Sequence, residues 1–92
     1  MFDDGVIVSR SDDVIARNLR EQTLLLDMRS EQYLALNGVA ARMWSLLDGT
    51  NTIDDVAAVI AEEYDAPFAI VRDDLASLLN DLNERGLIRH AA

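Results

Sequence analysis

Residues able to do chemistry are few in this chain, and their spacing does not assemble a catalytic site. The one histidine, His90, lies in a closing segment that we expect to be frayed, so we interpret it as a surface residue. None of the five serines stands in the Gly-x-Ser-x-Gly pattern of a hydrolase nucleophile. The chain has no cysteine, which excludes a thiolate nucleophile and a Cys-ligated metal. We therefore expect no catalytic residue and no enzyme activity.

Adjacent acidic residues are the remaining candidates, because paired carboxylates can bind a metal ion or share acid-base work. The pairs are Asp3-Asp4, Asp12-Asp13, Asp54-Asp55, Glu62-Glu63 and Asp73-Asp74. Neighbouring side chains on a helix point about 100° apart, so such pairs rarely converge on one ion. The four glycines are isolated and form no phosphate-binding loop. We expect neither a metal nor a cofactor.

The charge balance narrows the class of partner. All eight basic residues are arginines, set against 17 acidic residues, for a formal net charge of −9. The arginines are scattered singly, so no basic cluster overcomes the repulsion of phosphates or anionic lipids. A neutral or basic peptide is the easier partner. Since no apolar run approaches the roughly 18 residues needed to span a bilayer, and no secretion signal opens the chain, we expect a cytoplasmic protein.

The first half of the chain has the pattern of a small sheet. Short apolar runs at 14–19, 23–27 and 33–37 predict three strands, and a β-branched run at 6–8 predicts a short fourth. Residues 28–32 are mostly polar and join the last two strands as a hairpin. Asn37 is placed to cap a following helix with its side chain.

The second half predicts three helices, because its apolar residues recur three and four positions apart. Gly49 should end the first helix, Thr52 should cap the second, and Pro67 should lie in the first turn of the third. Gly86 should end the third helix, with Leu87 folding back onto its last turn. The predicted inward stripes are Val39, Met43, Trp44 and Leu47; Ile53, Val56, Ala57, Ile60 and Tyr64; and Phe68, Val71, Leu75, Leu78, Leu79 and Leu82.

This order predicts an α+β fold of winged-helix-like type, with a small three-stranded antiparallel sheet followed by three helices. We expect a single domain over residues 1–92, with an ordered core at about 6–88. A sheet of three strands has two edges, and an uncovered edge offers unpaired backbone groups to another chain. An extended peptide could add a strand there and place alternate side chains in apolar pockets.

Five blocks of sequence, in this order and spacing, resemble the PqqD-like family. They are Leu24-Leu25-Leu26-Asp27, Tyr33-Leu34-Ala35-Leu36-Asn37, Met43-Trp44-Ser45-Leu46-Leu47-Asp48-Gly49, Thr52-Ile53-Asp54-Asp55-Val56, and the close from Asp74-Leu75 to Glu84-Arg85-Gly86-Leu87-Ile88. Members are small recognition elements for ribosomally made, post-translationally modified precursor peptides (RiPPs). The resemblance covers about residues 6–88.

This resemblance implies a non-catalytic, chaperone-like adaptor that binds the leader region of a precursor peptide. The leader pairs with the third strand, here residues 32–36, and packs against the third helix. The implied peptide-binding residues are Gln32, Tyr33, Leu34, Ala35 and Leu36 on the strand, with Val71, Asp74, Leu75, Leu78 and Leu82 on the helix. The adaptor then presents the peptide to a modifying enzyme, such as a radical enzyme or a leader peptidase. Pyrroloquinoline quinone and lasso-peptide pathways both fit.

Two other functions remain open at this level. The same three helices could belong to a winged-helix DNA-binding protein, but Arg72 and Arg85 are the only basic residues near the second and third helices. Alternatively, the chain could be a structural dimerisation module that pairs its edge strand with a second copy. The sequence leaves monomer and homodimer undecided.

Overall fold

The computed structural model describes residues 5–91, apart from the side chains of residues 90 and 91. His90 therefore lies, as a side chain, outside the described part. The described residues form six strands and three helices, and the α+β prediction is confirmed. In chain order these elements are β1 (Ile7–Arg10), β2 (Val14–Leu19), β3 (Gln22–Asp27), β4 (Tyr33–Asn37), α1 (Gly38–Leu46), β5 (Asp48–Thr52), α2 (Ile53–Glu63), α3 (Phe68–Glu84) and β6 (Ile88–Ala91).

The predicted three-stranded antiparallel sheet is present, with strand order β2-β3-β4. A two-residue turn joins β2 to β3, since Leu19 stands opposite Gln22. Residues 28–32 join β3 to β4, where Leu25 stands opposite Leu34. Because side chains alternate along a strand, one face of this sheet carries Leu25 and Leu36 into the core, and the other face points away from the helices.

A second sheet, with order β5-β1-β6, is a feature that the sequence analysis missed. The segment Asp48–Thr52 was expected to be only a helix stop and a cap, and the closing residues from Arg89 were expected to be frayed. Instead β5 and β6 pair antiparallel with the two sides of β1. The missed segment Asp-Gly-Thr-Asn-Thr has no apolar alternation, so its pairing comes from backbone hydrogen bonds and not from a hydrophobic pattern.

The predicted start of α2 is confirmed in detail. The Thr52 hydroxyl accepts a hydrogen bond from the Asp55 amide at 3.1 Å, and the Asp55 carboxylate accepts one from the Thr52 amide at 3.0 Å. This reciprocal capping box satisfies two amides that the helix itself cannot. Asn37 does precede α1, but its side chain makes no capping bond, so that part of the prediction is wrong.

The end of α3 is also as expected. The Leu87 amide donates to the Leu82 carbonyl at 3.0 Å, and the Gly86 amide donates to the Asn83 carbonyl at 3.1 Å. Gly86 has a φ of 73°, a left-handed conformation that glycine adopts without a side-chain clash. Leu87 is thereby returned to the core.

One hydrophobic core joins the two sheets and the three helices. Three residues assigned to inward stripes are instead at the surface: Val39, Tyr64 and Phe68 are each more than a third exposed. All three lie at or next to helix ends, where the helix leaves the core before the apolar spacing stops. The buried apolar residues are Val6, Val8, Leu25, Leu36, Met43, Trp44, Leu47, Ile53, Val56, Ala57, Ile60, Val71, Leu75, Leu79, Leu82, Leu87 and Ile88.

Candidate functional site

The outer edge of β4 is the candidate site. Within residues 5–91, β4 pairs with β3 on one side, and no strand pairs with its other side. The observed strand is Tyr33–Asn37, as the apolar pattern predicts, whereas the range that the resemblance implies, 32–36, begins one residue earlier. The Gln32 carbonyl accepts the Asp27 amide at 2.9 Å, so its backbone already belongs to the hairpin.

The ladder between β3 and β4 determines which backbone groups face outward. Antiparallel pairs alternate between residues that exchange hydrogen bonds and residues that do not. The Asp27 amide bonds to the Gln32 carbonyl, and the Gly38 amide bonds to the Glu21 carbonyl. With the regular register between these two ends, the even-numbered residues of β4 bond to β3. The amides and carbonyls of Tyr33 and Ala35 therefore point to the open edge.

The side chains of β4 follow the same alternation. Leu36 is buried and Leu34 is half-buried, and both lie on the core side. Tyr33 is 71% exposed and Ala35 is exposed, and both lie on the outer side. A strand added to this edge would therefore meet apolar side chains on one face and an exposed tyrosine on the other.

The helical half of the predicted site is largely core. Leu75 and Leu82 are fully buried and Val71 is 5% exposed, so these three side chains attach α3 to the core. Only Leu78, which is half-buried, and Asp74, which is exposed, offer surface to a ligand. The sequence could not make this distinction, because the apolar period shows which face is apolar and not what covers it.

The start of β4 and the end of α3 meet at a small pocket. Its volume is about 10 Å³, and it is lined by Gln32, Tyr33 and Leu34 from the strand side and by Arg85 and Leu87 from the helix side. A space of this size holds at most one water molecule. The pocket therefore marks where strand edge and helix approach one another, and it is not itself a ligand cavity.

Asp27 stabilises the loop that precedes β4 by accepting hydrogen bonds from it, a role that the sequence did not indicate. Its nearly buried carboxylate accepts the Arg29 amide and the Ser30 hydroxyl, each at 3.0 Å. The Arg29 backbone hydrogen bond, followed by the Ser30 hydroxyl and the Arg29 charge, lowers the pKa of Asp27 against the opposing effect of burial. An Asp at a strand end, whose side chain can accept the amide of the second residue after it, is the signal for such a turn.

Other kinds of site lack support in the described residues. No group of three or more His, Asp or Glu side chains in this part of the chain could hold a metal ion. Arg72 binds Asp54 at 3.3 Å and Arg85 binds Asp81 at 3.1 Å, so the two arginines that a DNA-binding surface on these helices would need have carboxylate partners. No helix among the described residues is long and apolar enough to cross a membrane.

Comparison with known proteins assigns the family. The model of coenzyme PQQ synthesis protein D (PqqD) matches residues 22–88. This range begins at β3 and includes β4 and all three helices. The chain belongs to the PqqD family. A relative in Rhizobium meliloti (strain 1021), described as a PqqA binding protein, is 31% identical over 70 residues, or 76% of this chain and 69% of the relative.

A second PqqA binding protein, from Gluconobacter oxydans (strain 621H), is 28% identical over 58 residues. That match covers 63% of this PqqD-family chain and 60% of the relative. The resemblance found in the sequence is therefore confirmed by relatives as well as by the family model.

Solved structures share this fold over most of the chain. TbiB1 in complex with the TbiA(beta) leader peptide matches with a TM-score of 0.84 and 27% identity, over 91% of this chain and 98% of TbiB1. Lasso peptide synthetase B1 complexed with the leader peptide matches with a TM-score of 0.81 and 26% identity, over 90% of this chain and 98% of the synthetase chain. The PqqD truncation of Methylobacterium extorquens PqqCD, a stand-alone RiPP recognition element, matches with a TM-score of 0.80 and 26% identity, over 97% and 95%.

Proposed function

We propose that this PqqD-family protein is a non-catalytic recognition element that binds the leader region of a precursor peptide and presents it to a modifying enzyme. The observation that carries the proposal is the open edge of β4, where the backbone groups of Tyr33 and Ala35 have no strand partner within the described sheet. Backbone hydrogen bonds to such an edge give affinity with little demand on the peptide sequence.

The geometry indicates how the peptide would lie. An added strand hydrogen-bonds to Tyr33 and Ala35, and its side chains then alternate between the two faces of the enlarged sheet. Those on the core side lie beside half-buried Leu34 and along α3, where half-buried Leu78 is the apolar residue of the predicted helical set that keeps exposed surface. Val71, Leu75 and Leu82 support this wall from inside the core.

Charge gives the second criterion for the peptide. The formal net charge of −9 disfavours a strongly acidic leader. Asp74 is exposed one helical turn from Leu78, so it can receive a cation or an amide of the peptide. We infer a leader that has an apolar side chain facing Leu78 and a basic or amide side chain facing Asp74.

The relatives support the proposal through their own descriptions. Two are PqqA binding proteins, and two matching structures hold leader peptides. Both a pyrroloquinoline quinone pathway and a lasso-peptide pathway agree with these relatives. A radical enzyme or a leader peptidase is accordingly the kind of modifying enzyme that would receive the peptide.

Titration with synthetic leader peptides of PqqA-type and lasso-type precursors tests the proposal. We expect micromolar or tighter binding by isothermal titration calorimetry, and no binding of the remaining core peptide or of a scrambled leader. Random duplex DNA should not bind. Failure of both leaders to bind, or binding that the scrambled peptide reproduces, would contradict the proposal.

A further inference from the structure

The outward face of the β2-β3-β4 sheet is apolar, although no described helix or strand covers it. Two rows cross the three strands in register: Ile15, Leu26 and Tyr33 form one row, and Arg17, Leu24 and Ala35 form the next. Ile15 is 46% exposed and Tyr33 is 71% exposed. A shallow depression of about 130 Å³ runs between these residues.

This face differs from an ordinary solvated sheet surface. In a sheet with one face on the core, the outward positions are usually polar. Here the two rows contain one charged residue, Arg17, and the others are aliphatic or aromatic. A contiguous exposed apolar surface with a polar residue inside it is typical of a protein interface. We refer to these six residues as the outer face.

Arg17 gives the outer face its charge preference. Arg10 bonds to backbone carbonyls, and Arg29, Arg42, Arg72, Arg85 and Arg89 each form an ion pair with a carboxylate. Arg17 and Arg20 have no such partner among the described residues. In a chain with 17 acidic residues, an unpaired guanidinium set among apolar side chains is a binding feature for an external carboxylate.

A second copy of the chain is a poor binding partner for the outer face. The nine outward positions of this described sheet contain no acidic residue: they are Ile15, Arg17, Leu19, Gln22, Leu24, Leu26, Tyr33, Ala35 and Asn37. An isologous contact through the outer face would therefore give Arg17 no carboxylate. Two chains that each carry a net charge of −9 also repel one another.

We propose that the outer face docks an apolar surface of the modifying enzyme, with one enzyme carboxylate bound by Arg17 inside that contact. The partner's identity as the modifying enzyme rests on the proposed function. The outer face is continuous with the β4 edge through Tyr33 and Ala35. Alternate side chains of a leader added at that edge would lie on the same face, so the enzyme would contact adaptor and peptide together.

The test titrates a purified modifying enzyme, a radical enzyme or a leader peptidase of the same pathway class, against the full chain by calorimetry. Arg17→Glu is expected to weaken enzyme binding by about tenfold or more, because it places like charges at the contact. Arg89→Glu is the matched control: it changes the net charge equally, but its exposed ion pair with Asp12 joins β6 to the loop before β2 and includes none of the six outer-face residues. The control should bind the enzyme like the parent protein, and both variants should retain leader affinity.

NMR spectroscopy locates the enzyme contact on this chain. Amide NMR signals of residues 15–17 and 24–26 should shift when the enzyme is added. Equal weakening by both arginine substitutions, unchanged enzyme affinity of Arg17→Glu, or absence of enzyme binding would overturn the proposal. Self-association that Arg17→Glu abolishes would also overturn it, since a second copy would then occupy the face. Leader binding is measured separately, so its failure would contradict the proposed function and not the Arg17 contact.

Discussion

β4 and α3, the strand and the helix that carry the predicted peptide-binding residues, both have apolar sequences but differ in which groups they leave exposed. On α3 the apolar stripe is used by the core, with Leu75 and Leu82 fully buried. On β4 the side chains facing the core are only partly buried as a set, and the backbone groups of Tyr33 and Ala35 have no strand partner in the described sheet. We therefore expect peptide recognition to depend mainly on the backbone of β4, with α3 as support.

The largest expected effect, on the stability of the fold, comes from placing a charge on the buried face of α3. Leu75→Asp puts a carboxylate at a fully buried position, and should lower the free energy of unfolding by more than about 4 kcal/mol. That loss is a large part of the stability of a small domain, so a denatured circular dichroism spectrum is expected. Asp74→Ala, at the adjacent exposed position, is the control and should unfold like the parent protein. A folded Leu75→Asp that only fails to bind leader would instead make Leu75 a pocket residue.

Proline substitutions at two positions of β4 test the open side and the paired side of the strand separately. Ala35→Pro removes an amide that points outward, so the ladder to β3 is kept while the ring blocks an added strand. Leader affinity should fall about tenfold or more, equivalent to at least one hydrogen bond. Leu34→Pro removes an amide bonded to β3 and should destabilise the fold. If Ala35→Pro bound leader normally by calorimetry, strand addition at β4 would be refuted.

The exposed part of α3 should have a smaller effect. Leu78→Ala removes half-buried apolar surface, so we expect leader affinity to drop by about threefold to tenfold with a stability loss of about 1–2 kcal/mol. Ser77→Ala, at the neighbouring exposed position, should change neither quantity. Leader titration together with urea unfolding measures both effects. An unchanged affinity for Leu78→Ala would remove α3 from the binding site.

The smallest effect is the pH dependence contributed by Asp27. Its pKa is lowered in the folded protein, chiefly by the Arg29 amide, so its ionised form contributes stability above the ordinary Asp pKa. That contribution should be lost as the pH falls from about 4 toward the lower folded pKa. Thermal unfolding of Asp27→Asn should therefore show a weaker dependence on pH in this range. An equal acid sensitivity of parent and variant would mean that Asp27 is not the responsible group.

The sequence predicted the parts of the fold whose stability is local. The Thr52-Asp55 capping box and the Gly86-Leu87 helix end depend on neighbouring residues, so short patterns reveal them. The strands β5 and β6 depend on β1, which is remote in sequence, and their own residues lack alternation. No local pattern marks such pairing.

The same contrast between local patterns and remote contacts applies to the candidate site. The open edge of β4 follows from strand order, which the hairpin signals could suggest. The division of the α3 stripe into core residues and the surface residue Leu78 depends on which elements cover the helix. The sequence also gave no sign that Arg17 would lie among apolar neighbours, because that requires the register of β2 against β3.

Amide hydrogen exchange within β4 tests the central claim most directly. In the free protein, the Leu34 and Leu36 amides should exchange slowly, because they bond to β3, and the Tyr33 and Ala35 amides should exchange quickly. Saturation with the leader peptide should slow Tyr33 and Ala35 selectively. Protection that appears only at other residues, with Tyr33 and Ala35 still exchanging quickly, would contradict strand addition at this edge.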